Sequence, residues 1–360
     1  MKNKRNQNGS IFILVMWVLL FLSVFAFAVG YATRQYLQFI QKLEIRENLR
    51  EIAEAGVKKA IYILDRKKLQ QPVADFLNED WSQNPKEFQD ISLGRGFFAV
   101  SYESPVVTKK ETGKINEETK AITSENENVR YGVIDEERKL NINKVDKPVA
   151  MTKLFREAAE IDEDLAYSIA VSIIDWRDQD EFSYDYGAES QYYKSLSPPY
   201  KAKNTDFDTL EELLFVKGVT PEIYSKINLY ITIYGNGSIN LNTASEYVLK
   251  AIGFPDSLVK KVVEFRRGPD QKEGTSDDLA FTELESAVDV LNQTYYLDDI
   301  EKGFFKSMID SGRLQIFSNY FTIQSVAALN GRTEALKVTC VFERHGQIRK
   351  WNEQYFSTGD

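Results

Sequence analysis

The chain has 360 residues, 43% hydrophobic and 12% aromatic, enough to bury a sizeable core and build two or three domains. Its 54 acidic residues outnumber 45 basic ones, and a net charge of −9 argues against a protein that grips the phosphate backbone of a duplex. One cysteine, Cys340, excludes an intramolecular disulfide, and the one histidine, His345, falls at an expected hairpin turn and reads as a surface residue, around which a zinc site or a Ser-His-Asp triad would have to be assembled.

Residues 10–33 carry no charge and read as a helix long enough to cross a bilayer. The leader before them holds Lys2, Lys4 and Arg5, so the positive-inside rule keeps residues 1–9 in the cytoplasm. The bulk after Arg34 is then sent outward, to the periplasm of a Gram-negative cell. Three readings of this start compete. A secretory signal peptide would be cut after Ala26-Phe27-Ala28; a plain anchor would stay uncut; a prepilin-type leader would be cut after Gly9, leaving Ser10 as a methylated N-terminus. The third also accounts for the abrupt junction between polar leader and apolar run. Helical spacing continues past the membrane segment through Ile45, Leu49, Ile52, Gly56, Ala60 and Leu64, with Arg46, Glu47, Arg50, Glu51 and Lys58 between them. One helix over residues 10–66 is expected.

Further along, Gly96-Phe-Phe-Ala-Val-Ser-Tyr-Glu alternates as a half-buried strand does. Residues 107–129 are polar and read as a solvated loop, and residues 130–143 return to strand character. The segment 313–356 reads as three strands, with hairpin turns at Asn330-Gly331 and His345-Gly346, and Cys340 as a buried small hydrophobe within one of them. Between these lies a mostly helical region, 145–311, with an internal echo. Leu140-Asn-Ile-Asn-Lys precedes a helix near Val149, and Ile239-Asn-Leu-Asn-Thr precedes one near Ser245. Each copy continues through a second helix, at 163–177 and 256–267, into an acidic loop.

The first acidic loop gathers Asp175, Asp178, Asp180, Glu181, Asp185 and Glu189 around Gly187, a density of hard oxygen donors that suits calcium. The second surrounds a glycine turn with Asp270, Glu273, Asp277 and Asp278. A solvated acidic face is the alternative reading of each. Val216-Lys-Gly-Val-Thr and Ala251-Ile-Gly-Phe-Pro are similar to helix-hairpin-helix turns and raise the rival reading of a DNA-binding or DNA-uptake membrane protein. Glu211, Glu212, Glu222, Asp256 and Glu264 beside them would repel a phosphate backbone. No pair of carboxylates is set apart as acid and base, so no catalytic site is expected.

Four stretches together resemble the type II secretion minor pseudopilin K family, also called general secretion pathway protein K. They are Gly9-Ser-Ile-Phe-Ile-Leu-Val-Met-Trp-Val; Ile174-Asp-Trp-Arg-Asp-Gln-Asp with Gly187-Ala-Glu-Ser-Gln-Tyr-Tyr; Phe207-Asp-Thr-Leu-Glu-Glu-Leu-Leu-Phe-Val-Lys-Gly-Val-Thr-Pro; and Ile231-Thr-Ile-Tyr-Gly with Ile239-Asn-Leu-Asn-Thr-Ala. The resemblance implies an α+β fold in which a long N-terminal helix packs on an antiparallel sheet interrupted by a large inserted all-α domain. The chain then divides into leader 1–9, membrane helix 10–33, pilin-like part 34–144, insert 145–311 and C-terminal strands 312–360. It further implies processing by prepilin peptidase, calcium in the insert, and a place at the tip of the pseudopilus with I-type and J-type minor pseudopilins. The fifth residue of the mature chain, a glutamate in most pilin-like subunits, is Leu14 here. Nothing at that position can neutralise a neighbour's buried amine, which fits a subunit with none above it.

Overall fold

The computed structural model describes residues 8–68, 74–103, 129–344 and 346–357. The polar stretch 107–129, except its last residue, and His345 lie outside them. One helix, Asn8–Lys68, runs for roughly 90 Å at 1.5 Å per residue, with Gly9 and Ser10 at its start. Residues 11–44 are exposed along its whole first part, and its apolar run is long enough to cross a membrane. From residue 45 the helix becomes a packing element. Leu49, Ala53, Val57, Ala60 and Leu64 recur at three- and four-residue intervals and are buried, with Ile52 buried beside them. Gly56 marks the closest approach to the sheet, because a Cβ there would stand 2.2 Å from Ser325 Oγ and 2.9 Å from the Phe98 ring.

The partner of this helix is an antiparallel sheet in the order Ile91–Leu93, Gly96–Val100, Tyr320–Leu329, Glu334–Glu343, Gln347–Ser357, with Ile134–Asp135 also pairing to Tyr320–Leu329. Alternation sends Phe98, Val100, Phe321, Ile323, Leu336, Val338, Cys340 and Phe342 into one core with the helix. Burial pushes the Cys340 thiol up to about 12, so it is an inert core residue. Gly331, at φ 70°, supplies the left-handed residue that the first hairpin turn requires.

Two strand expectations are corrected. Residues 130–143 do not form one strand; they break into Val129–Arg130, Ile134–Asp135, a 3-10 turn Glu136–Arg138 and Leu140–Asn141. The Asp135 carboxylate accepts from the Glu137 N–H at 2.8 Å and turns the chain. Leu314–Gln315 leaves the large sheet and pairs in parallel with Ile239–Asn240.

The region between Leu140 and Gln315 carries a separate core that includes Leu154, Phe155, Ile169, Leu249, Phe281 and Phe305. Two copies of one bonding pattern organise it. Leu140–Asn141 pairs in parallel with Ile231–Thr232, as Ile239–Asn240 does with Leu314–Gln315. Asn143 clamps Phe207, donating to its carbonyl at 3.0 Å and accepting from its N–H at 2.9 Å. Asn242 does the same to Phe281 at 3.0 and 2.8 Å. Arg177 ends the helix Glu163–Arg177 by donating to the carbonyls of Asn143 and Val145. Arg266 ends Asp256–Arg266 by donating to those of Leu241 (2.9 Å) and Ala244 (2.7 Å). The acidic loops therefore leave the two copies at equivalent points.

A buried polar seam joins the two cores. Arg344 donates to both oxygens of Asp75 at 2.8 Å. Asn240 reaches the Asp75 carbonyl (3.4 Å), Ser318 Oγ (3.0 Å) and Asp135 (3.1 Å). Glu136 is held by Lys139 (2.6 Å), Thr232 (2.6 Å) and Thr322 (2.7 Å).

Two outcomes are expected. Gly56→Val should destabilise the chain by about 1–3 kcal/mol through overpacking against the sheet. Gly303→Ala, at a helical glycine with nothing within 4 Å, should stabilise it by about 0.5–1 kcal/mol; denaturant midpoints read both. Burial, opposed by the Asn319 N–H and reinforced by Asp135, raises the Glu137 carboxyl from 4.5 to about 7. A carboxyl raised by folding gives stability that is full below pH 4.5 and lost as pH climbs through about 7. Glu137→Gln should abolish that decline, a swing of about 3 kcal/mol between roughly pH 4 and pH 8 in denaturation curves.

Candidate metal centre

Asp175 is fully buried in the last turn of Glu163–Arg177. The loop that follows folds back over it: Asp175 accepts from the Ala188 N–H (2.8 Å), Ser183 Oγ (3.0 Å) and the Tyr184 N–H (3.2 Å). Only glycine allows this closure at Gly187, where a Cβ would lie 2.0 Å from Asp175 Oδ2. The closure carries buried Glu189 back beside Asp178, so that oxygens of Asp175, Asp178 and Glu189 lie within 4.8 Å of one another.

Both Glu189 oxygens and Asp178 Oδ1 are buried with no hydrogen-bond partner, and so is Asn204 Oδ1. Asn204, in the left-handed region at φ 54°, is fixed by its N–H to the Trp176 carbonyl (2.9 Å) and by Nδ2 to the Asp180 carbonyl (3.3 Å). Among the described residues no lysine or arginine pairs with the three carboxylates. Arg177 is committed to the carbonyls of Asn143 and Val145, and Lys217 to those of Tyr186 and Gly187 at 3.0 Å each. Burial, reinforced by Asp175 and Asp178, pushes Glu189 up to about 7, and burial raises Asp175 and Asp178 as well. Unpartnered oxygens of Asp178 and Glu189, with an Asp175 oxygen within 4.8 Å, form a carboxylate set that fits a hard divalent cation, and Asn204 brings a further unpartnered oxygen to the same loop.

The other acids of this loop stand outside that group. Asp180 accepts from the Phe182 N–H (2.8 Å) in a local turn, Glu181 accepts from Ser190 Oγ (3.1 Å), and Asp185 is exposed. Asn204 was not expected as a donor from the sequence, since it lies fifteen residues beyond Glu189 and is not acidic.

In the second loop Asp270, Asp277 and Asp278 also converge within 4.8 Å. Their oxygens are occupied locally: Asp277 accepts from the Asp270 N–H (2.9 Å) and Thr275 Oγ1 (2.7 Å), and Asp278 from the Gly274 N–H (2.7 Å). Glu273 is a correction. It turns away from the cluster to Arg266 (3.3 Å) and Arg267 (3.7 Å), while Arg130 donates to its backbone carbonyl at 2.7 Å. Burial opposes its ionisation, but Arg266, Arg138 and Arg267 hold its carboxyl below the ordinary value. It is an internal ion pair.

The two hairpin turns place Gly218 at φ 83° and Gly253 at φ 107°. The acids beside them are partly used in ion pairs, Glu211 with Lys350 (3.2 Å) and Asp256 with Lys250 (3.3 Å).

A family model for type II secretion system (T2SS), protein K matches residues 138–236, which hold the first loop and the first hairpin. Type II secretion system protein K of Aeromonas hydrophila is 25% identical over 176 residues, 48% of this chain and 51% of that protein, so the match spans about half of that relative's length. The protein of the same name from Pectobacterium carotovorum subsp. carotovorum is 24% identical over 246 residues, 68% of this chain and 69% of that one. A chain in the crystal structure of the GspK-GspI-GspJ complex from the enterotoxigenic Escherichia coli type 2 secretion system shares the fold, with a TM-score of 0.60 over 87% of this chain and 98% of that one at 16% identity. Over these stretches the chain is similar to type II secretion system protein K, and it shares the fold of a chain in the GspK-GspI-GspJ complex.

Proposed function

We propose that this chain is a minor pseudopilin, anchored by residues 10–33 in the inner membrane with its bulk in the periplasm. It starts or caps the short filament that drives folded proteins across the outer membrane. The observation that carries this reading is the helix Asn8–Lys68, bare and apolar over residues 11–44 and packed on a sheet beyond them. A helix so divided joins a bundle in the membrane and presents a folded head outside it. Leu14, in place of a carboxylate, supports a position at the tip. Its neighbours there are I-type and J-type minor pseudopilins, the kinds of chain with which the enterotoxigenic Escherichia coli protein is found. The role is structural, with no enzymatic step; the one cysteine is buried and its thiol raised to about 12.

Mass spectrometry of the chain extracted from membranes of a cell with the secretion apparatus tests the reading. A start at Ser10 bearing one added methyl is expected. An intact Met1, or a start at Val29, would overturn it.

We also infer that calcium is held by Asp175, Asp178, Glu189 and Asn204. Calcium at a hundredfold excess over Kd should stabilise the detergent-solubilised chain by about 2.7 kcal/mol. Asp178→Ala with Glu189→Ala should remove the resulting rise in melting temperature. A rise that persists there but vanishes in Asp277→Ala with Asp278→Ala would move the ion to the second loop.

A further inference from the structure

The two edges of the sheet are finished in opposite ways. One is blunted, since Ile91–Leu93 is only three residues long. The other is Gln347–Ser357, eleven residues and roughly 35 Å of strand, paired on one side to Glu334–Glu343. Beyond that ladder none of its backbone groups bonds to another described residue. Long open edges are normally guarded by charges that resist the approach of another strand. Here the charges are neutralised within the chain: Arg349 by Glu343 (2.6 Å), Lys350 by Glu211 (3.2 Å) and Glu353 by Arg50 (3.4 Å). Large apolar side chains stand beside the open edge, with Ile348, Trp351, Tyr355 and Phe356 between 37% and 49% exposed.

Register fixes the orientation of this edge. Trp351 and Tyr355 lie opposite Cys340 and Leu336, whose side chains face the long helix. Arg46 stacks on the Tyr355 ring at 5.0 Å, and Arg50 reaches Glu353 from the same helix. The edge therefore continues directly into the exposed flank of the helix just above its bare apolar part. A subunit whose own helix packs beside this one in the membrane has its head brought to this edge.

We propose that Gln347–Ser357 is a docking edge that takes an extended strand from the head of a neighbouring minor pseudopilin, extending the sheet by one strand. Main-chain hydrogen bonds supply the attachment, and Trp351, Tyr355 and Phe356 flank the added strand with apolar contact. The inference rests on the pseudopilin reading and names the contact through which that assembly is made.

The experiment co-expresses the full chain with I-type and J-type minor pseudopilins, purifies the assembly in detergent, and measures amide hydrogen exchange in residues 347–357 with and without the partners. About half of these amides should slow at least tenfold on assembly, in alternation along the strand. Asn352→Lys with Phe356→Lys, both exposed on the face away from the helix, should restore a guarded edge. That variant should keep its melting temperature while recovery of partner falls at least tenfold. If the variant misfolds, exchange in the wild-type assembly decides alone. Assembly with unchanged exchange in 347–357 would sink the docking edge and leave the pseudopilin reading intact. Protection that depends on the chain's own concentration would overturn the proposal in favour of a second copy. Failure of the wild type to assemble with either partner would overturn both.

Discussion

The Asp75–Arg344 pair is the constraint on which the rest of the molecule depends. Asp75 follows the long helix and Arg344 closes the strand Glu334–Glu343, so the pair ties the two ends of the pilin-like core together across the insert. Both side chains are buried, and Asp75 also accepts from the Ser318 N–H at 2.8 Å where the chain returns from the insert. A buried pair adds little net stability over an apolar substitute, but removing one partner leaves an uncompensated charge at a cost of about 3–5 kcal/mol. Its value is geometric. It fixes where the chain leaves the helix, where it re-enters the sheet, and through Asn240 where the second copy of the insert begins.

The insert is compatible with the sheet because it departs and returns at nearly one place. Leu140–Asn141 and Leu314–Gln315 are both short strands in parallel ladders, and Asp135 and Ser318 from the two junctions meet at Asn240, Asp135 through its carboxylate and Ser318 through its hydroxyl. The seam between the cores is polar, unlike either core, and its acids are unevenly compensated. Glu136 has Lys139 and Asp75 has Arg344. Asp135 has the neutral donors Asn240 and Thr243 within reach, and burial raises its carboxyl. Glu137 is raised for the same reason. A joint of this kind holds its geometry by hydrogen bonds, which specify direction, where an apolar seam would allow the two parts to slide.

Much of this plan is legible in the sequence, where periodicity leaves one answer. The helical spacing from Ile45 to Leu64 and the alternation of Gly96–Val100 survive folding because each pattern serves one buried face. The Asn-x-Asn echo is legible for a different reason: each asparagine performs a backbone bond that no apolar residue could replace. What periodicity does not reveal is a polar residue's partner. Glu136 and Glu137 sit in a stretch that reads as strand, yet their burial against Thr322 and the Asn319 N–H, nearly two hundred residues away, makes a turn of it. Glu273 reads as one of four clustered acids, and only the fold shows four arginines nearer to it than its neighbours suggest. Asn204 carries no charge and gives no signal until the loop closes.

The two acidic loops leave equivalent points of a repeated unit and resolve the same electrostatic problem differently. In the second, the buried acid is matched by arginines and the remaining three carboxylates are only partly covered, with loop donors bonded to Asp277 and Asp278. In the first, the arginine at the corresponding point, Arg177, is committed to backbone carbonyls, and among the described residues no lysine or arginine pairs with Asp175, Asp178 or Glu189. Three carboxylates drawn this close cannot all stay ionised without positive charge between them. Protons would lower the charge but would leave acceptor oxygens of Glu189 and Asn204 still unfilled. A divalent cation of the kind proposed above would remove the repulsion and fill those oxygens together. The same loop displays Phe182 and Tyr186, each largely exposed. The proposed ion, joining Asp178 and Glu189 at the two ends of the loop, would fix the position of that aromatic surface as well.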